Sequence, residues 1–361
     1  MRFLQQLPGR GIPVDEISAA ASGKRHWPQS VVRQLETSGM QAFADKNWRS
    51  IAVIYTVTFS PTLDFVVGVN HFRTGVINRT TSENVYPGGK GVNVSIALKN
   101  FGYENTALGF TAGFTGAEIK RLLHGIGVQN NFINVENGMS RVNMKIVSDS
   151  ETAINGQGPQ ITDEDIGTLY ARLRCLVDGD YLVLAGHIPD TLPPTMYEQV
   201  LQFLQGRNLN VIVDAEKELL TGTLKYRPWL IKPNRDELGD LFDVKILSRE
   251  DAVPYARKLQ EKGARNVLVS LGGDGAVLLS EDGTIYSSDA LKGNVVSTVG
   301  AGDSMVAGFI AGYLGSGGDY ETAFRKGMCA GAASSFSLVI PDARQVDYMM
   351  RISHFDISIR R

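Results

Sequence analysis

From Ile51 onward the chain alternates short apolar runs with amphipathic stretches. IAVIYTV is a continuous apolar run of strand length, as expected of a strand buried on both faces. LDFVVGV, VINRTTSENVY, FINVEN and RVNMKIV instead alternate apolar and polar residues, as half-exposed strands do. VNVSIALKNFG carries helical spacing and stops at Gly102. From about Asp163 the rhythm is helix then strand. Helices predicted over 163–176, 193–205, 215–221, 234–241 and 249–262 interleave with the strands YLVLAG, NVIVD, WLIKPN and NVLVSLG. Further helices over roughly 302–314, 319–336 and 343–352 close the pattern. Buried strands alternating with helices predict an α/β fold, a mostly parallel sheet covered by helices on both faces. The half-exposed strands before residue 156 do not fit that core. They predict a small accessory sheet built from about 62–86 and 131–156.

Residues 1–50 have a different character. They are polar and irregular, with Pro8, Gly9, Gly11, Pro13 and Pro28, and only Val31 to Phe43 has the spacing of a short amphipathic helix. The expectation is a poorly ordered extension without a catalytic role, ahead of one domain over 51–355. The chain of 361 residues is 43% hydrophobic with a formal net charge of -2, enough for a large core and no global pull toward nucleic acid or anionic membrane. Two cysteines, Cys175 and Cys329, form neither a disulfide framework nor a zinc spacing. No stretch reaches the roughly 18 apolar residues of a membrane span, and the first residues lack a signal-peptide core. These features predict a soluble cytoplasmic protein.

In open α/β sheets ligands bind beyond the carboxyl ends of the strands, so the strand-end turns are where chemistry is sought. VSTVGAGDSMVAGF sets Gly300, Ala301 and Gly302 directly before Asp303 and a helical run. Asp is a common helix cap, but a cap needs no run of small residues. Bare N–H groups at a helix start bind anions, and an acid beside them suggests a general base. YPGGKGVN combines open backbone at Gly88 and Gly89 with Lys90 and Asn93, either as a solvated turn or as a grip on a polar ligand. SRVNMKI places Arg141, Asn143 and Lys145 on one strand face, which either meets water or clamps a phosphate. KPNRDEL reads as a capping box of Asn234 and Glu237, or as the acid of a Mg²⁺–nucleotide site reached through water. SLGGDG, alone, is a hairpin turn. The P-loop and Rossmann spacings are absent, no G-x-S-x-G elbow occurs, and the five histidines have no zinc-site company.

Together, GGKGVN, KPNRDEL, SLGGDGA and TVGAGDSMVAGF resemble the PfkB (ribokinase-like) carbohydrate kinases over about residues 53–350. Within that family IYTVTFSPTLDFVV, PGGKGVNVS, SRVNMKI and ETAINGQGP resemble bacterial 1-phosphofructokinases. Tagatose-6-phosphate kinases typically carry an alanine before Gly-Gly-Lys and lack the last stretch. The resemblance implies a ribokinase-like sheet with a small β-sheet lid, and ATP-dependent phosphorylation of fructose 1-phosphate with Mg²⁺. It implies Asp303 as the base and the backbone of Gly300, Ala301 and Gly302 as an anion hole. Asp64, Gly88, Gly89, Lys90, Asn93, Arg141, Asn143, Lys145 and His187 would bind the sugar phosphate. Lys232, Asn234, Glu237, Ser270, Gly272, Gly275 and Thr298 would line the MgATP side, with Glu237 reaching Mg²⁺ through water. It further implies a homodimer through the lid, with Asn78 and Arg79 reaching the partner's site. Two departures stand out: His187 in AGHIPD replaces the family's usual Ser, and Ser140 replaces Thr. A tagatose-6-phosphate or fructose-6-phosphate kinase is the same-fold alternative. A non-catalytic sugar-phosphate sensor is the alternative of another class, and it would be expected to lose the base or the anion hole.

Overall fold

The structure, a computed structural model, describes residues 52–353 and 356–360. The expectations for residues 1–50, including the helix over Val31 to Phe43, lie outside the described residues. The strands are β1 (Ile54–Thr58), β2 (Thr62–Val69), β3 (Thr80–Gly88), β4 (Asn105–Ala112), β5 (Gln129–Asn130), β6 (Ile133–Val135), β7 (Arg141–Val147), β8 (Glu151–Asn155), β9 (Tyr181–Ala185), β10 (Asn210–Asp214), β11 (Leu230–Ile231), β12 (Asn266–Ser270), β13 (Ala276–Leu279), β14 (Ile285–Ser288) and β15 (Ser358–Arg360). The helices are α1 (Lys90–Asn100), α2 (Gly113–Gly125), α3 (Asp163–Leu173), α4 (Met196–Phe203), α5 (Lys217–Thr221), α6 (Arg235–Phe242), α7 (Arg249–Glu261), α8 (Ala301–Ser316), α9 (Tyr320–Ser335) and α10 (Ala343–Ile352).

An eleven-stranded sheet runs β15-β14-β13-β12-β11-β10-β9-β1-β4-β5, with β6 also on β4. Strands β12, β11, β10, β9, β1 and β4 are mutually parallel, whereas β13, β14 and β15 continue the sheet in antiparallel pairs. This is the mostly parallel α/β sheet that the strand–helix rhythm predicts, and it agrees with the ribokinase-like sheet that the resemblance implies. Because the parallel strands all point one way, Thr58, Ala185, Asp214, Ile231 and Ser270 end at the same edge. A four-stranded lid sheet, β3-β2-β7-β8, springs from that edge. It sits there because only Phe59, Ser60 and Pro61 separate the end of β1 from β2.

Two readings need correction, one of the lid and one of where the domain ends. FINVEN does not join it: β6 pairs parallel with β4, Phe110 opposite Ile133, and so extends the large sheet. Its alternation reflects Ile133 and Val135 facing the core with Asn134 outward, which an edge segment of a large sheet shows as readily as a lid strand. The large sheet also passes residue 355, since Ser358–Arg360 pairs with β14. Element ends shift by a few residues; α4 starts at Met196 after Pro193 and Pro194.

The small residues that follow Asp303 have a packing cause as well. A side chain at Gly308 would sit 2.6 Å from the Ala330 Cβ, and one at Gly312 2.8 Å from the Ala323 Cα, so α8 and α9 touch backbone to backbone. Gly109 is tighter still. At φ +147 its missing Cβ would lie 1.8 Å from the Thr58 carbonyl oxygen, across the β1–β4 pair. Gly109→Ala is therefore expected to lower unfolding stability by at least the ~1–3 kcal/mol typical of overpacking, read as a shift in urea midpoint at constant slope.

Candidate active site

The carboxyl edge of the large sheet and the facing side of the lid enclose a cavity of about 940 Å³. Backbone register builds the lid's half of it. Asp64 on β2 stands opposite Tyr86 and Asn143, and Asn143 stands opposite Asn155, so the polar side chains form one cross-strand row. Asn143 donates to Asp64 at 3.0 Å, and Arg141 reaches Asn143 at 3.4 Å. The Arg141 Nε and the Ser60 hydroxyl are buried, line the cavity and have no hydrogen-bond partner among the described residues. Buried donors of this kind are costly unless something satisfies them. Burial lowers the Arg141 guanidinium, with Asp64 opposing, although no arginine loses its charge near neutral pH.

The floor is the head of α8. Gly300, at φ +78, caps the helix without any side-chain bond, and Asp303 falls inside the first turn. Asp303 is not the helix cap. Its Oδ2 instead accepts from the Asn93 amide at 2.8 Å, across from α1. The first amides of a helix have no intrahelical acceptor. Here Ala301 N–H closes a 3.3 Å turn onto Thr298, whereas Gly302 lies open beside the cavity. A Cβ on Gly302 would stand 3.0 Å from the Lys232 Nζ, so the open backbone admits an ammonium group against it.

Three acids and two lysines converge here. Asp214, 1% exposed at the end of β10, takes Lys90 on Oδ1 at 3.2 Å and Lys232 on Oδ2 at 3.4 Å. The second contact is an ion pair without hydrogen-bond geometry. Lys90 also stands 3.9 Å from Glu237 Oε1. Burial pushes the Asp303 carboxyl up to about 6, the Asp214 charge adding to it against the Asn93 bond and both lysines. Burial likewise opposes ionisation of Asp214, but Lys232 and Lys90 together hold it below the ordinary range. For Lys90 burial works against the charge, and Asp214, Glu237 and Asp303 outweigh it, so the ammonium is held well above its usual value. Glu237 is raised, chiefly by burial.

The nucleotide-side expectations meet in the same cavity. Lys232, Asn234, Glu237, Ser270, Gly272, Gly275 and Thr298 all line it. The capping box is real: Asn234 and Glu237 exchange two 2.8 Å bonds, which occupy Glu237 Oε2 and leave Oε1 facing inward. The cap and the inward acid are thus the same residue. His187 is an exposed lining residue on a firmly held turn, where the Tyr197 hydroxyl donates to the Gly186 carbonyl at 2.9 Å and Gly186 N–H to the Asp214 carbonyl at 3.1 Å.

Four expectations change. Gly88 does not line the cavity; its missing side chain leaves room for Asp64, whose Oδ2 would be 2.7 Å from a Cβ. Lys145 does not line it either, because its ammonium is drawn to Asp64 Oδ2 at 3.5 Å. Lys90 lies with the acids of the large sheet, not with Arg141. Asn78 does not extend outward: it bonds the Arg73 and Val76 carbonyls of its own turn at 2.7 and 3.1 Å. The lining residues absent from the sequence-based set include Thr58, Ser60, Asn155 and Asp214. An acid ending the apolar run NVIVD was the available signal for Asp214.

Residues 57–337 match the model of the pfkB family carbohydrate kinases. The chain belongs to that family. It is 44% identical over 285 residues to the 1-phosphofructokinase of Bacillus subtilis, covering 79% of this chain and 93% of that one. It is 37% identical over 296 residues to the D-tagatose-1-phosphate kinase of Bacillus licheniformis, covering 82% and 96%. Phosphofructokinase-2 from Escherichia coli, solved in complex with substrates and products, superimposes with a TM-score of 0.78 at 25% identity, covering 83% and 99%. The pfkB match spans both the sheet edge and the lid. No helix among the described residues is long and apolar enough to cross a membrane.

Proposed function

We propose that this pfkB kinase transfers the γ-phosphoryl group of ATP to the C6 hydroxyl of fructose 1-phosphate, giving fructose 1,6-bisphosphate. The observation that carries the reading is one cavity with a phosphate-ready lid at one end and a buried, proton-accepting carboxylate on its floor. At the lid, the unpartnered Arg141 Nε and Ser60 hydroxyl take the 1-phosphate, and Asp64, Asn143 and Asn155 read ring hydroxyls. The sugar's far end then meets Asp303, which removes the proton of the C6 hydroxyl, from O6, as the O6–P bond forms and the bond from the γ-phosphorus to the β-phosphate oxygen breaks. The open amides at the head of α8 and the Lys90 and Lys232 ammonium groups receive the charge of the phosphoryl group in flight, where positioning and electrostatics do most of the catalysis.

Glu237 Oε1, an inward-facing carboxylate oxygen, fits the water-mediated hold typical of Mg²⁺ on a nucleotide. The ion would supply charge neutralisation on the ATP phosphates. A sensor has no need of a carboxylate held near its proton-transfer range, so the buried Asp303 favours an enzyme. The D-tagatose-1-phosphate kinase relative supports tagatose 1-phosphate as a second substrate reading. Exposed Val76 and Ile77 at the lid tip support a lid-mediated homodimer; exposed Arg79, not Asn78, is the residue there free to reach across. A soluble cytoplasmic setting completes the proposal.

Product analysis tests the reading. Phosphorus NMR of fructose 1-phosphate with MgATP is expected to show a new phosphomonoester on C6 and stoichiometric ADP; ADP with inorganic phosphate, or no turnover, would reject it. The base must be ionised to act. Since Asp303 is held up to about 6, kcat/KM is expected to fall about tenfold per pH unit below pH 6 and to level off above pH 7. A profile flat down to pH 5 would rule out this carboxylate as the base.

A further inference from the structure

The stretch ETAINGQGP carries part of the family likeness, yet the proposed reaction gives a task only to its Asn155. Its last four residues, 156–159, begin the link from β8 back to α3. The structure lays that link against Arg141. The Gly156 N–H donates to the Val142 carbonyl at 3.0 Å. Pro159 packs on the turn before β7, where a Cβ at Gly138 would lie 3.3 Å from its Cα. Between these two anchors, Gly158 stands directly behind the Arg141 stem. It adopts φ +93, and a Cβ there would lie 3.0 Å from the Arg141 Cγ, 3.7 Å from its Cδ and 3.3 Å from the Ser60 hydroxyl oxygen. Gly158 does not itself line the cavity, whereas Arg141 and Ser60 do.

We propose that Gly158 is a positioning residue for the phosphate of the sugar: its missing side chain lets the Arg141 stem lie against the link, which leaves Nε and the Ser60 hydroxyl to the ligand. This rests on the reading of Arg141 as the holder of the 1-phosphate. The side chain is fixed from two directions. Its Nη2 reaches Asn143 at 3.4 Å, and its Cγ and Cδ lie along Gly158. Only Nε is left without a partner among the described residues. A guanidinium presents its donors in a rigid fork, so the direction of the stem decides which N–H a phosphate meets. Ser60, Arg141 and Gly158 also belong to three of the segments that join the lid to the rest of the chain. The phosphate is thus gripped at the root of the lid. A side chain at Gly158 would force the stem or the link to give by a few tenths of an ångström, and a positioning contact is sensitive to shifts of that order.

The test is a double-mutant cycle read in steady-state kinetics. Gly158→Ala is expected to raise the KM for fructose 1-phosphate about 10- to 100-fold, with the KM for ATP within about twofold of wild type. In an Arg141→Ala background, which has no stem to displace, the same substitution is expected to cost less than about threefold. The positive φ strains an alanine in either background, so an effect of backbone strain alone would appear undiminished in both. Equal costs in the two backgrounds, or an unchanged phosphosugar KM in Gly158→Ala, would overturn the proposal. If Gly158→Ala fails to fold, Arg141→Lys decides. It keeps a stem against Gly158 but places no donor at the Nε position, and is expected to raise the phosphosugar KM as much as Arg141→Ala does. A KM within about twofold of wild type in Arg141→Lys would equally overturn the proposal. Failure of the substrate reading looks different: wild-type protein would then turn over no ketose phosphate, or Arg141→Ala would leave the phosphosugar KM unchanged.

Discussion

Asp303→Asn is expected to lower kcat by about 10²–10⁴, the range for losing a general base, with little change in MgATP affinity. The substitution keeps the volume and the contact with Asn93, so it removes the proton-accepting charge and not the packing. Stability gives an independent readout. The carboxyl's value is raised in the fold, from 3.8 to about 6. The native state therefore binds more protons than the unfolded chain between those values, and the stability this brings is lost as pH rises through 6. Removing the carboxylate removes that penalty, so at pH 7 the Asn variant should melt no lower than its parent. An inactive variant that is also unstable would point to a structural role. Near wild-type turnover would reject the mechanism.

Arg141→Ala is expected to reduce kcat/KM for the phosphosugar about 10- to 150-fold, from the roughly 1.5–3 kcal/mol of a charge-assisted bond. The KM for ATP should stay within about twofold of wild type. Arg141 lies in the lid row with Asn143 and Asp64, away from Lys90 and the acids of the sheet edge. A change confined to the ATP constant would mean that the two ends of the cavity have been assigned in reverse.

The parallel core was legible because strands such as YLVLAG and NVIVD are buried on both faces and leave uninterrupted apolar runs. The lid was legible from period-two alternation, but the same pattern misplaced FINVEN, since period two records one buried face and not which sheet provides it. β4 and α2 left no clear signal, as NTALGFTA dilutes its apolar run with Thr106, Gly109 and Thr111. At the site, the GAGD and GGK motifs marked the floor because open backbone and charge coincide there in sequence. Asp214 was missed because its partners, Lys90 and Lys232, are far away in the chain and meet only when parallel strands align their ends. Lys145 and Gly88 were over-read for the converse reason: Gly88 adjoins the lining Gly89 and Lys145 follows the lining Asn143 on the same strand face, but Lys145 is drawn onto Asp64, a contact made across strands.

The most direct test of the central claim is a coupled ADP-release assay over fructose 1-phosphate, tagatose 1-phosphate, fructose 6-phosphate and tagatose 6-phosphate. A site that hydrogen-bonds specific hydroxyls leaves polar groups unpaired with the wrong isomer. Asp64, Asn93, Asn143 and His187 all line the cavity, and His187 is the residue whose imidazole most changes the expected reading of the sugar. The account predicts the highest kcat/KM for fructose 1-phosphate, at least about tenfold above either 6-phosphate. A 6-phosphate turned over best would contradict it.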